Sequence, residues 1–285
     1  GYMVHTNKTM NDLVFDPFFG MSGAEKYATI FLSLGWYLKL MIFPHPLTHD
    51  YYPYHVPKID WIDWRALVSL AVYAALVVWS VKQMRQARAG HKNASEENNY
   101  ERLPAYSALY YLLTISVVSN IFASTSTFLN ERLAYMPSLG ICLFLAWLIN
   151  WKIPEWTGKE TGRLSVLSAS MFGLIVLLSV ARVWTRLPDW GGRGEGLVTS
   201  AVRISENSYR ANYYYAAMLY NEQYVKIPDA ANGKISPEKE TLLATIEEHL
   251  SRSLDVYPGY SLAAVLEVSV ATERYRQDGK LDKLL

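Results

Sequence analysis

Residues 130–140 read NERLAYMPSLG, and the reading of this stretch decides the fold. Residues 104–130 on its left contain no Asp, Glu, Lys or Arg, and residues 133–151 on its right contain none either. Glu131 and Arg132 are thus an isolated charged pair between two uncharged runs. About 18 or more apolar residues without charge make a membrane-span candidate. Two such runs joined by a short charged turn read as two spanning helices, with the pair at headgroup depth.

Working outward, spans are expected near 66–81, 104–124, 137–151 and 164–183. The first is short by itself and gains length if residues 61–64 sit at the interface. The third is short but follows uncharged residues 133–136, and the fourth carries Arg182 near its end. Trp61, Trp64, Trp79, Trp151 and Trp184 suit the aromatic belts at the two membrane surfaces. Residues 27–44, YATIFLSLGWYLKLMIFP, are ambiguous, because Lys39 interrupts them and Gly35 weakens them. This segment either spans with Lys39 snorkelling or lies along the interface. The bland alternative, buried helices of a large soluble domain, fits poorly with four nearly charge-free runs framed by Trp and Tyr.

The whole chain is less informative than its parts. It has 285 residues, 51% of them hydrophobic, and a net charge of +1. Before about Arg182 the charges cluster between apolar runs; after it they are spread evenly, as in a soluble region. Two regions built for different solvents follow, a partial transmembrane domain over 1–189 and a helical region over 190–285. No basic stripe with interleaved aromatics exists, so nucleic acid is not an expected partner. Cys142 is the only cysteine, which excludes an intramolecular disulfide, a multi-cysteine zinc site and an iron–sulfur site. The chain starts at Gly1 without a signal-peptide pattern and stops on LDKLL, which suggests a piece of a longer protein. Loop charges set the orientation. Lys82, Arg85, Arg88, Lys92 and Arg102 fall in one loop, and Lys152, Lys159 and Arg163 in another. The opposite loops carry fewer, Lys58, Arg65 and Arg132, so 45–63, 125–135 and everything after Trp184 are expected outside the cytoplasm.

The region after Trp190 has helical, amphipathic patterning. Helices are expected over 197–205, 209–225, 237–257 and 261–277, the third capped by Ser236 with proline in its first turn. Aligning AVRISENSYRANYYYAAMLY on SLDVYPGYSLAAVLEVSVAT sets Ile204 on Val256, Ala211 on Ala263 and Tyr214 on Leu266. Two helix–turn–helix units with an insertion around 226–235 result, a pattern that resembles a tetratricopeptide repeat. An unrelated four-helix tail is the alternative.

Ionisable residues at membrane depth are costly unless paired or liganded. The simplest account of Glu131 and Arg132 is a polar turn whose arginine touches lipid phosphates. The sharper account has Arg132 binding the phosphate of a lipid-linked substrate as a bidentate fork, with Glu131 orienting it and Asn120 and Tyr135 nearby. The other outward loop, FPHPLTHDYYPYHVP at 43–57, gathers His45, His49, Asp50 and His55. Its prolines make it irregular, and its spacing does not suit a metal. His49 and Asp50 are candidate substrate contacts there. No phosphate-binding glycine loop, nucleophile elbow or zinc-protease helix motif is present. NKT at Asn7 and NAS at Asn93 match the weak glycosylation pattern.

Taken together, YLKLMIFPHPLTHDYYPYHVP, VSNIFASTSTFLNERLAYMPSLG and ARVWTRLPDWGGRGEGLVTSAVRISENSYRA resemble one family. It is the transmembrane and tetratricopeptide-repeat-containing glycosyltransferases, the O-mannosyltransferase-like members of the GT-C superfamily, with their bacterial relatives. The most specific run is E-R-x-x-Y-x-P-S, here Glu131, Arg132, Tyr135, Pro137 and Ser138; the second is Pro44, Leu47 and Asp50. The resemblance implies an all-α integral membrane protein, in bacteria of the inner membrane, with repeats on the non-cytoplasmic side. It implies sugar transfer from a polyprenyl-phosphate donor to an acceptor, a protein in most members. No cofactor is evident, and a divalent metal is left open. The family's first outward loop, with its acidic catalytic motif, has no counterpart here, so no catalytic base is named. A membrane-anchored repeat scaffold without catalysis is the competing expectation.

Overall fold

The computed structural model describes residues 16–49, 51, 55–89, 100–125, 127–158, 165–191, 195–229 and 235–278. Among them every regular element is helical. The chain divides into two units, each taken by itself below: Phe18–Pro46 with Lys58–Leu187, and Leu47–Pro57 with Pro188–Leu285.

In the first unit, α1 spans Gly23–Ile42 and opens on a capping box. The Ser22 hydroxyl accepts from the Glu25 amide, and the Glu25 carboxylate accepts from the Ser22 amide. Next come α2 (Trp64–Ala89), α3 (Leu103–Val118), a 3₁₀ turn at Glu131–Ala134 leading into α4 (Tyr135–Trp147), a π turn at Leu148–Lys152, α5 (Ile153–Trp156), and α6 (Val166–Trp190). The π turn has a local cause. Pro154 has no N–H to return to the preceding turn, and the Ile153 amide reaches back to the Leu148 carbonyl.

Three stretches are long and apolar enough to cross a membrane: Trp64–Gln86, Glu131–Trp156 and Val166–Trp190. Only 6% of the α6 window is buried, so its apolar side chains face outward, as lipid contact requires. The expected span at 104–124 is cut short, because α3 ends at Val118. Asn120 takes the left-handed conformation (φ 62°), which ends helices, and Ser119 turns its hydroxyl back on the Ser116 carbonyl.

Apolar helices in lipid gain nothing from hydrophobic burial against one another, so small residues and polar ties decide their packing. α3 packs on α4 through Gly140, where an added Cβ would lie 2.7 Å from the Ser107 carbonyl oxygen and 3.0 Å from the Tyr111 amide nitrogen. α1 approaches α2 through Gly35, which faces Ser69. The Tyr73 hydroxyl donates to the Leu34 carbonyl and meets the Tyr111 hydroxyl at 2.5 Å, tying α2 to α1 and to α3. Ser168 on α6 donates to the Ile149 carbonyl at 2.8 Å.

The second unit holds α7 (Glu195–Ile204), α8 (Tyr209–Met218), α9 (Pro237–Val256) and α10 (Ser261–Asp278). Ser208 and Ser236 cap α8 and α9, and α8 runs on through a π turn at Leu219–Gln223 and a 3₁₀ turn at Tyr224–Lys226. Ala211 and Ala263, aligned from sequence, are both buried at the third position of the second helix of each pair. Buried Tyr209 stacks edge-on against Tyr260, and its carbonyl accepts from the Ser253 hydroxyl at 2.8 Å. The Asn212 amide donates to the Glu206 and Ser208 carbonyls, so its Oδ1 must accept the proton on His249 Nδ1, 2.7 Å away. Burial, reinforced by Arg252, lowers the His249 pKa below its ordinary 6.5.

Two outcomes follow. Gly140→Ala forces α3 and α4 apart against backbone atoms and is expected to lower stability by about 1–3 kcal/mol. Gly173→Ala, with nothing within 4 Å of the new methyl, is expected to be neutral or mildly stabilising, and thermal unfolding in detergent compares the two. For His249, the unfolded chain takes up a proton more readily than the folded one. The α8–α9 contact is therefore at full strength above about pH 6.5 and weakens as pH falls through the lowered folded value. Hydrogen exchange of α9 amides between pH 7.5 and 5 checks this, and His249→Gln is expected to flatten the dependence.

Candidate functional site

The site is built from one turn and one helix end. Asn130 sets the turn. Its Oδ1 accepts from the Arg132 amide at 3.0 Å, capping the 3₁₀ segment. Its own amide donates to the buried Tyr37 hydroxyl on α1 at 3.1 Å. The cap holds Glu131 inward and Arg132 outward on consecutive residues. Arg132 is exposed, and its Nε lies 3.4 Å from Asn130 Oδ1. Its two terminal nitrogens meet no partner among the described residues.

Glu131 turns toward α6. One of its oxygens lies 3.5 Å from Arg186 Nη2, with both side chains largely buried, at 16% and 9% exposure. The other oxygen is buried without a hydrogen-bond partner among the described residues. One helical turn before Arg186, Arg182 donates from Nε to the Pro44 carbonyl at 2.8 Å, at the end of α1. The charges acting on Glu131 are those of Arg186 first, then Arg182 and Arg132.

Magnitudes say what the pair is for. At 3.5 Å and an effective dielectric near 20, attraction is about 5 kcal/mol. Removing two ions from water costs several kcal/mol each. The two nearly cancel, so the pair adds little to stability. It holds the Arg186 guanidinium in a poorly hydrated place.

The remaining candidates have other settings. Asn120 is buried and belongs to the loop before the turn. Its Oδ1 accepts from the Thr125 amide and hydroxyl at 2.6 and 2.8 Å, and its Nδ2 donates to the Thr127 carbonyl. Tyr135 is 78% exposed at the start of α4, where its carbonyl accepts from the Ser138 hydroxyl. His49 is half-buried in the second unit, and Asp50 lies outside the described residues. In that unit the Thr48 amide donates to the Tyr51 hydroxyl, and His55 Nδ1 lies 3.4 Å from the Ser205 hydroxyl. Among the described residues, no three His, Cys, Asp or Glu side chains converge as metal ligands.

Sequence reasoning missed Arg186 and gave Arg182 no role. The two are four residues apart at the end of a span, hence on one helix face, and that spacing was a usable signal. Asn130 was also passed over as part of an uncharged run. Comparison with protein-family models, with curated proteins and with solved structures found no match.

Proposed function

We propose that this chain is part of a membrane glycosyltransferase, and that the cluster of Arg132, Arg182 and Arg186 around Glu131 receives the phosphate of a polyprenyl-phosphate sugar. One observation carries the reading: among the described residues, Arg186 pairs with Glu131 while Arg182 and Arg132 lie near enough to act on the same carboxylate, at the ends of helices able to cross a membrane. A lipid-linked donor presents its phosphate at this depth. When the sugar leaves, negative charge grows on that phosphate, and fixed cations in a poorly hydrated place stabilise it. Arg132, exposed and without a carboxylate partner among the described residues, offers the fork. Glu131 holds Arg186 and sets the local field, and Asn130 aims Arg132. The acceptor is a protein, met on the non-cytoplasmic side. The base that activates the acceptor is not assigned to any residue of this chain.

A second reading has its own observation. Leu262, Val265 and Val268 are all exposed on α10, three residues apart in turn and so close to one helix face. Such a stripe suits a repeat region that holds a partner protein, with the spans acting as an anchor only.

The test is sugar release from a radiolabelled polyprenyl-phosphate donor by the full-length protein. Arg132→Ala and Arg182→Ala are each expected to cut transfer by about 10²–10³ with elution and helix content unchanged. Full turnover in both variants would remove the cluster from the site. Absence of release by the unmodified protein favours the scaffold.

A further inference from the structure

We infer that a second place on this chain, the groove between α1 and α2, binds the phosphate headgroup of an anionic phospholipid. The inference stands apart from the sugar-transfer reading and uses different residues.

The groove has a volume of about 290 Å³ and is lined by Gly35, Trp36, Lys39, Trp64, Arg65 and Ser69, among others. Its floor is low because Gly35 and Ser69 let the helices approach closely, so the larger side chains form its walls. Its depth follows from α2. The stretch Trp64–Gln86 has 23 residues, about 34 Å at 1.5 Å per residue. The hydrocarbon core is about 30 Å thick, so the first turn of this stretch reaches the headgroup layer. Trp64 is 70% exposed there, as an interfacial tryptophan is expected to be.

Two cations line this groove. The Lys39 ammonium sits 4.1 Å from the Trp36 ring centroid and has no carboxylate within ion-pair distance among the described residues. Arg65 is held along one edge, its Nε and Nη2 donating to both Asp63 oxygens at 2.6–3.1 Å. Its Nη1 makes no hydrogen bond among the described residues. Asp63 thus fixes the guanidinium and leaves an edge for another anion. With Asp63 answering one of the two cations, one positive charge is left, the complement of one phosphodiester. A zwitterionic headgroup brings its own cation and gains less; an anionic one gains the full attraction. The tryptophans supply the amphipathic walls that a glycerol backbone meets at this level.

The test is native mass spectrometry of the full chain released from vesicles of equal parts phosphatidylglycerol and phosphatidylcholine. Phosphatidylglycerol is expected to be retained in preference. Lys39→Gln and Arg65→Gln are each expected to lower its retention about fivefold, the share of one basic group near a membrane surface. Lys152→Gln, which removes a cation elsewhere, is expected to leave retention unchanged. Among the described residues Lys39 carries no side-chain hydrogen bond or ion pair that holds the fold, so its variant stands if Arg65→Gln proves unstable. Equal retention of both lipids overturns the proposal, as does a Lys152→Gln loss as large as that of Lys39→Gln. Displacement of the lipid by soluble glycerol phosphate at equal concentration also overturns it, because the groove would then bind free phosphate.

Discussion

The Glu131–Arg186 pair joins residues 55 apart in the chain and closes the membrane unit at one end. Apolar helices in lipid are free to slide, since lipid solvates them as well as a neighbour does. What stops them is a small number of polar ties and close contacts. At this end Glu131 meets Arg186, Arg182 meets the Pro44 carbonyl, and the Asn130 amide meets the Tyr37 hydroxyl. Together these bring the end of α1, the start of the α4 stretch and the end of α6 to one level.

Much of this was legible in the sequence, for identifiable reasons. The nearly charge-free runs at 66–81, 137–151 and 164–183 overlap the three stretches able to cross a membrane, because charge is the costliest thing to place in hydrocarbon. Freedom from charge is not helix, however. Residues 119–130 carry no charge yet are rich in Ser, Thr and Asn, and those described, 119–125 and 127–130, form an irregular loop around the Asn120 side chain. Composition of that kind signals a turn, and it shortens α3. Gly35 was read as a weakness in a helix and proves to be a point of close approach, which no single-chain propensity can reveal. In the second unit the helix starts at Tyr209 and Pro237 follow from Ser208 and Ser236, since caps are local signals. The candidate site was half legible. Glu131 and Arg132 come together because they are neighbours in sequence, whereas the contact with Arg186 exists only once the topology is known.

Two arginines here use the same device at different burial, and burial decides what each can do. Arg65 and Asp63 form a bidentate pair in which the guanidinium is 44% exposed, so water screens it and the pair itself is worth little. Its use is geometric, since the carboxylate holds one edge and leaves the other toward the groove. Arg186 and Glu131 sit at 9% and 16% exposure, where partial dehydration raises both the attraction and its cost. An anion entering that cluster must lose its own water. It is compensated only if it meets several cations at once, which Arg132, Arg182 and Arg186 allow and a single surface arginine does not. Selectivity therefore differs in kind. In the reading proposed for the exposed groove, net charge sorts the ligands. In the reading proposed for the Glu131 cluster, charge counts together with the ability to reach a poorly hydrated place, and a phosphate carried on a hydrocarbon chain satisfies both conditions.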